Sequence, residues 1–392
     1  MRPLALQQPF AGQVIAQGNF YPSQDEAPAA ELLKYKNFGT GAIICVGYPT
    51  FYGGHYGWML DESINEEPPE PARREIFALM DMQADEQIRQ LVAVTNGNLK
   101  YVVVTFQEEE GLLLWPSRVP RNFAPTILPT GPYGAPFSSP RCPDGPFSVR
   151  PGTADCNILP KYFAAGRKYG VEVVPYLNLI GNWEVFNRQF NYQGNSLVNH
   201  PRYDQYLTYQ CRLVQELLLT YPRDINYLWY DNGSGSSGKM CQAMYNAARA
   251  IKPDLKVIGN NAGRDFAADR LPTDMLSIEQ FELPPFGNNT SYTNTRRTYA
   301  GRTYPNVFTE FVLTPCHTPF GSQWYDYNQA KVFLKWRSPY PVLTFNSVSD
   351  FQATVDLGKT AGCPVLMDVM IGQDGRIVPQ VLDYMAQINF AR

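Results

Sequence analysis

The chain has 392 residues, a length that suits one α/β barrel with insertions, and we expect a single large domain over residues 1–392. Hydrophobic residues form 44% of the sequence, which is enough to fill a core, and aromatic residues form an unusually high 14%. The formal net charge of −3 argues against DNA, RNA or an anionic membrane surface as a partner. No apolar run approaches the roughly 20 residues that span a bilayer. From the charge and the apolar runs together, neither nucleic acid nor a membrane is an expected partner.

Cysteine and histidine usage predicts no metal site and no cofactor. The seven cysteines are scattered without C-x-x-C spacing, and the sequence holds only three histidines. Two overlapping glycosylation sequons, at Asn288 and Asn289, and the few charged residues favour an extracellular or secreted protein. Residues 1–10 lack the apolar stretch of a signal peptide.

Short apolar runs alternate along the chain with longer segments of helical spacing, a pattern typical of a parallel α/β fold. Helical patterns fall at 84–94, 159–169, 203–219, 239–251, 327–334 and 351–361. Strands are predicted at 41–47, 100–105, 171–177, 225–230, 255–259, 275–278, 307–310 and 365–369. Eight strands separated by helices predict a (β/α)₈ TIM-like barrel.

Two stretches without regular spacing are predicted as long βα-loops. Residues 116–154 are rich in proline, and residues 284–305 are rich in Asn, Thr, Tyr and Arg. Because both stretches follow a predicted strand, we expect both at the same mouth of the barrel.

Polar side chains follow almost every predicted strand. Enzymes on this fold carry their working residues at the carboxyl ends of the strands, where the loops form one shared concave surface. Helix capping explains an Asp or Asn at one strand end, but recurrence on seven strands favours a site. The residues are Gln107 and Glu108 to Glu110 after the second strand, Asn178 after the third, Asp231 and Asn232 after the fourth, Asn260 and Asn261 after the fifth, Glu279 after the sixth, Glu310 at the seventh and Asp368 near the eighth.

Glycosidases cleave the bond between two sugars with a pair of carboxylates, one on each side of that bond. The carboxylates at the predicted strand ends could form such a pair. The run Glu108 to Glu110 has further interpretations: a solvated charge run, a site for a cation such as Ca²⁺ or a basic sugar amine, or a grip on sugar hydroxyls. A neutral sugar is the expected ligand.

Segments from the first strand, at 37–47, to the last, at 362–375, carry a family resemblance, and three of them from the middle of the chain illustrate it. The segment 99–105, LKYVVVT, with WPSR at 115–118 resembles A-K-Y-x-V-L-T followed by L-W-x-S-K, and YLWYDNG at 227–233 resembles L-W-F-D-G. The segment 274–279, DMLSIE, resembles D-F-x-T-x-E. Through these motifs the chain is similar to glycoside hydrolase family 29, the α-L-fucosidases, from about Lys36 to Pro379.

The resemblance implies a (β/α)₈ barrel and retaining glycoside hydrolysis, with Asp231 as nucleophile and Glu279 as the acid/base candidate. Glu282, Glu310 and Glu108 to Glu110 stay open as alternatives for the acid/base. The C-terminal β-sandwich usual in the family is expected to be absent. The residues expected to contact substrate are Trp58, Glu108, Glu109, Asn178, Trp183, Trp229, Asn261, Glu310 and Trp324.

Departures from the family pattern fall on the sugar pocket. Cys45 stands where the first strand has His, Glu108 and Glu109 replace a pair of His, and Asn261 replaces Arg. Each lost partner leaves a buried sugar hydroxyl unpaired at about 1–3 kcal/mol. We therefore expect an oligo- or polysaccharide substrate with altered sugar specificity. The alternatives are a catalytically inactive carbohydrate-binding barrel and, with little support, a polysaccharide lyase; the oligomeric state stays open.

Overall fold

The computed structural model describes residues 38–45, 83–107, 113, 115, 117, 119, 158–179, 203–231, 238–260, 274–280, 295–299, 302–313, 316–317, 344–371 and 375–391. Helices in these ranges are α1 Ala84–Val94, α2 Leu159–Tyr169, α3 Tyr203–Thr220, α4 Gly238–Ile251, α5 Val348–Ala361 and α6 Pro379–Met385. The strands are β1 Thr40–Ile44, β2 Leu99–Gln107, β3 Glu172–Asn178, β4 Tyr227–Asp231, β5 Lys256–Asn260, β6 Met275–Gln280, β7 Thr295–Tyr299, β8 Arg302–Leu313, β9 Cys316–His317, β10 Thr344–Phe345 and β11 Val365–Val369.

Eight of these strands pair in parallel. Their order is β1, β2, β3, β4, β5, β6, β8 and β11, and β11 pairs with both β8 and β1, so the ladder returns to its start. Strand β7 pairs antiparallel with β8, and β9 pairs antiparallel with β10. The α/β class is confirmed, and the curled parallel sheet with its helices is consistent with a TIM-like barrel.

All eight predicted parallel strands are present: β11 has the predicted bounds, and the other seven differ from the prediction by a few residues. Helices α1 and α2 have the predicted bounds, and α3, α4 and α5 overlap the predicted ones. The predicted helix over 327–334 lies outside the described residues. Part of the predicted loop 284–305 is strand: β7 and the start of β8 form a hairpin there, and the Thr and Tyr residues in this segment are ones that favour strands.

Glycine is required at two positions that shape the barrel. Gly170 ends α2 in the left-handed conformation, with φ 68°, so that the chain can turn into β3. Gly41 on β1 faces the Tyr101 ring, and a Cβ at position 41 would lie 2.3 Å from that ring. Gly41 therefore leaves room for the Tyr101 side chain inside the barrel.

Two separate apolar clusters lie on the two faces of the sheet. Alternate residues of one strand divide between them: on β4, Tyr227 and Trp229 join one cluster, while Leu228 and Tyr230 join the other. The larger cluster packs the strands against the helices. The smaller one, called the inner core below, contains Phe38, Ile43, Cys45, Tyr101, Val103, Val174, Tyr176, Tyr227, Trp229, Ile258, Met275, Val312 and Leu366. In the ranges that the structure describes, no helix has the length and apolar character needed to cross a membrane.

Candidate active site

Polar side chains interrupt the inner core along one line across the sheet. Asn178 pairs in register with Asp231, Asn260 pairs with Ser277, and Ser277 pairs with Glu310. Residues paired in parallel strands share a face of the sheet, so these five residues, on β3, β4, β5, β6 and β8, form one continuous polar row. All five are buried. A row of buried polar groups is costly unless each is hydrogen-bonded, so its bonding partners indicate what it does.

Asp231 is the last residue of β4, and each of its carboxylate oxygens accepts a hydrogen bond. Oδ2 accepts a hydrogen bond from the Tyr176 hydroxyl at 2.5 Å, and Oδ1 accepts one from the Asn260 amide at 2.8 Å. The residue is only 6% exposed. The two donors are uncharged and come from the two flanking strands, so they stabilise the negative charge and orient the carboxylate without neutralising it.

The Tyr176 hydroxyl is itself part of a chain of hydrogen bonds. Asn178, two residues further along β3, donates its Nδ2 to this hydroxyl at 3.4 Å. The backbone carbonyl of Asp231 accepts from the Leu179 amide at 3.2 Å. Asp231 is therefore attached to β3 through both its side chain and its backbone.

Glu310 is the second carboxylate in the polar row, and it is completely buried, at 0% exposure. Its Oε1 accepts from the Trp229 indole at 2.9 Å and from the Ser277 hydroxyl at 2.6 Å. Its Oε2 accepts from the Tyr101 hydroxyl. The three donors come from β4, β6 and β2, so this one carboxylate connects four strands across the barrel interior.

Two aromatic rings connect the surroundings of the two carboxylates. Tyr176 and Trp229 pair in register on β3 and β4, and their rings stack with centroids 5.2 Å apart and planes at 21°. Tyr176 donates to Asp231, and Trp229 donates to Glu310. The stack is thus a physical link between the two carboxylates.

Of the residues predicted from the sequence, the structure brings Asn178, Trp229, Asp231 and Glu310 together. Glu279 lies on β6, where its backbone pairs with Val312, two residues beyond Ser277. Its side chain is outside the described residues, and its role stays a prediction. Six further predicted positions also lie outside the described residues: Trp58, Glu108, Glu109, Trp183, Asn261 and Trp324.

Sequence reasoning missed four donors that hold the two carboxylates: Tyr101, Tyr176, Asn260 as a ligand of Asp231, and Ser277. The period of two along a strand places a residue two positions before a strand end on the same side as the residue at that end, but it does not distinguish a functional tyrosine or serine from an ordinary one. Tyr176 stands in this relation to Asn178, and Trp229 to Asp231. Among the described residues, no group of three His, Cys, Asp or Glu side chains is arranged to hold a metal ion.

Comparisons with known proteins agree with this geometry at the level of fold. No protein-family model matches the sequence, and no curated protein matches it. An α-L-fucosidase of family 29 from Bacteroides thetaiotaomicron superposes with a TM-score of 0.61 at 16% identity, over 96% of this chain and 76% of that one. The α-L-fucosidase isoenzyme 1 from Paenibacillus thiaminolyticus superposes with a TM-score of 0.56 at 14% identity, over 94% of this chain and 75% of that one.

A third similar structure is the α-L-fucosidase AlfC from Lactobacillus casei in complex with its α-L-fucose product. Its TM-score is 0.54 at 15% identity, over 92% of this chain and 96% of that one. The resemblance read from the sequence is confirmed as a resemblance of fold: the chain has a divergent fold like that of family 29.

Proposed function

We propose that this chain is a glycoside hydrolase that acts on an oligo- or polysaccharide by double displacement, with Asp231 as the nucleophile. The observation that carries the proposal is the Asp231 carboxylate, placed at the carboxyl end of β4 with both oxygens held by uncharged donors. The carboxyl ends of the strands are where barrel enzymes perform their chemistry. The fold shared with α-L-fucosidases supports the same reaction class.

In the first step, an Asp231 oxygen attacks the anomeric carbon, the glycosidic bond breaks, and the acid/base residue protonates the departing oxygen. In the second step, the same acid/base takes a proton from water, the water oxygen attacks the anomeric carbon, and the Asp231 carboxylate departs. Tyr176 and Asn260 assist the second step in particular, because their hydrogen bonds stabilise the carboxylate anion that is released.

Glu279 is the proposed acid/base. It lies on β6, which is separated from β4 by β5 alone. Adjacent strands are about 4.8 Å apart, so two strands with one between them are about 10 Å apart. The side chains of an Asp and a Glu can shorten this span to the roughly 5 Å between carboxylates that retaining enzymes use.

The proposed sugar differs from fucose. Cys45, where the family has His, is buried at the inner core beyond the end of β1. A thiol is a weak hydrogen-bond donor, whereas an imidazole donates and accepts strongly, so this position favours a less polar contact with the substrate. The same departure supports the alternative of a barrel that binds a carbohydrate without cleaving it.

The test is a hydrolysis screen on aryl glycosides and natural oligosaccharides, with an α-L-fucoside among the substrates. NMR spectra of the first-formed product should contain the anomer of the substrate's own configuration. A 2-deoxy-2-fluoro glycosyl fluoride of the active sugar should label the peptide that contains Asp231, as detected by mass spectrometry.

Three results would contradict the proposal. An inverted first product excludes double displacement, and a label on another carboxylate excludes Asp231 as nucleophile. Heat of glycan binding in calorimetry without any product would favour the carbohydrate-binding barrel.

A further inference from the structure

We propose that Glu310 is a positioning residue: it fixes the Trp229 indole, and Trp229 in turn holds the Tyr176 hydroxyl on the Asp231 carboxylate. The inference rests on the proposed function, since it assigns a task within that active site. It differs from the sequence-based expectation, in which Glu310 and Trp229 contact substrate and Glu310 is an alternative for the acid/base.

The burial of Glu310 argues for a role that involves no direct contact with the substrate. Its side chain is 0% exposed, and its two oxygens accept three hydrogen bonds from protein side chains. A buried carboxylate is costly to desolvate, and only good bonding geometry offsets that cost. A group so enclosed acts on the reaction through its neighbours.

Trp229 is the neighbour through which it acts. The indole N–H is the only polar group of that side chain and can only donate, so its bond to Glu310 sets the angle of the ring. The ring is 1% exposed and stacks on Tyr176. Ser277 and Tyr101 donate to the same carboxylate from β6 and β2, and the Tyr101 ring stacks on Phe38.

The Tyr176 ring, held by the Trp229 indole, then restrains the Asp231 carboxylate through its hydroxyl. Its hydroxyl lies 2.5 Å from Oδ2, while its face lies on the indole. Reacting groups must be held within about 0.5 Å of productive geometry, and stacking on a fixed ring provides that restraint. A loose Tyr176 would misorient the nucleophile while leaving the substrate contacts in place.

The experiment uses three conservative variants that each remove one donor from the same carboxylate: Trp229→Phe, Tyr101→Phe and Ser277→Ala. A merely structural role for Glu310 predicts that kcat follows the loss of thermal stability in all three. The proposal predicts that Trp229→Phe lowers kcat by about 10-fold or more with little change in KM, while the other two change kcat less than about threefold at comparable loss of Tm. Equal kcat losses in the three variants would overturn it.

A double-mutant cycle tests the route. If Trp229 acts through the Tyr176 hydroxyl, Trp229→Phe should lower kcat far less in a Tyr176→Phe background than in the wild type. If the two substitutions instead lower kcat independently, so that their factors multiply in the double variant, Trp229 does not act through the Tyr176 hydroxyl. Glu310→Gln supplies the conservative rescue, because its amide oxygen still accepts from Trp229 and its NH₂ can donate to the Tyr101 hydroxyl; it should retain much more kcat than Glu310→Ala.

Crystal structures of the variants provide a readout that needs no turnover. The distance from the Tyr176 hydroxyl to Asp231 Oδ2, 2.5 Å in the wild type, should lengthen in Trp229→Phe and stay unchanged in Ser277→Ala. An unchanged distance in Trp229→Phe would overturn the inference even if the enzyme is active. A wild type that cleaves no glycoside would defeat the proposed function alone, since the distances still test the coupling.

Discussion

Two buried aspartates occupy opposite ends of the barrel strands. Asp231 is the last residue of β4, whereas Asp274 directly precedes the first residue of β6. Asp274 is 2% exposed, and it accepts hydrogen bonds from the Val257 backbone amide at 2.8 Å and the Tyr245 hydroxyl at 3.1 Å. Both carboxylates thus have a tyrosine donor, but they differ in what else surrounds them.

The partners show why the two ends have different tasks. Asp274 bonds to the backbone of β5 and to a side chain of α4, so it attaches a helix to the sheet. Asp231 bonds to side chains on the two neighbouring strands, inside the barrel. In this fold the amino ends of strands stabilise and the carboxyl ends react. A buried, hydrogen-bonded carboxylate is therefore no sign of function until its strand end is known.

The largest expected effect separates the two aspartates directly. Asp231→Asn should lower kcat by about 10⁴-fold or more, because an amide cannot form the glycosyl intermediate, while the fold survives because Asn has nearly the same shape. Asp274→Asn, an identical change at the other end, should leave kcat unchanged. Steady-state kinetics with circular dichroism on both variants makes the comparison; a comparable kcat loss in Asp274→Asn would remove the distinction.

The tyrosine donors offer the next comparison. Tyr176→Phe removes one hydrogen bond from the Asp231 carboxylate, and bonds to charged groups contribute about 1.5–3 kcal/mol, so kcat should fall by about 10-fold to 100-fold. Tyr245→Phe removes the equivalent bond from Asp274 and should lower the free energy of unfolding with kcat retained. Urea unfolding and kinetics measure both quantities. A Tyr176→Phe enzyme with full kcat would count against the proposed orientation of the nucleophile.

Asp274 should also make stability depend on pH. Burial raises its pKa above the ordinary value of 3.8, although Arg249 and the Val257 amide oppose the shift. A carboxyl with a raised folded-state pKa stabilises the fold most when protonated, and that contribution is lost as pH rises through the raised pKa.

Relative to Asp274→Asn, the wild type should therefore lose free energy of unfolding above about pH 4, by up to about 1.4 kcal/mol per pH unit until the raised pKa is passed. Urea unfolding of both proteins from acid to neutral pH measures the difference. A difference that is constant with pH, or that moves in the opposite sense, would contradict the assignment.

The smallest effect is expected at an exposed carboxylate. Asp85 on α1 accepts a hydrogen bond from Lys168 on α2 at 2.8 Å, and this bond lowers the pKa of Asp85. Stability from such a group is present above its ordinary pKa and is lost as pH falls through the lowered one. Because water and salt screen the exposed pair, Asp85→Asn should leave the melting temperature unchanged within error at neutral pH. A clear loss of melting temperature would mean that exposed and buried carboxylates differ less in their contribution to stability than proposed.

Much of the fold was predictable because its determinants are local. Apolar runs of strand length located the eight parallel strands, and helical spacing located α2 and α5, which end at Gly170 and Gly362 in the left-handed conformation. The hairpin of β7 with the start of β8 was not predicted, because the sequence of residues 295–304 has no apolar period to detect.

The candidate site was predictable in part for the same reason. Asn178, Asp231 and Glu310 stand out as polar residues at the ends of apolar strands, and strand ends can be read from one sequence. Tyr176 and Ser277 do not stand out, since tyrosine and serine within a strand are ordinary. Their importance depends on which residue faces them across the barrel, and that is a property of strand register.

The sequence by itself determined the alternation of strands and helices, and with it the strand end at which Asp231 lies. Only the tertiary structure decided what Asp231 and Glu310 bond to, because their donors come from strands that are 29 to 209 residues away along the chain. Hydrogen bonds over such separations form only when the parallel ladder brings distant strands into register. Local spacing carries no record of that register, and for this reason a nucleophile can be proposed from the sequence while the residues that orient it cannot.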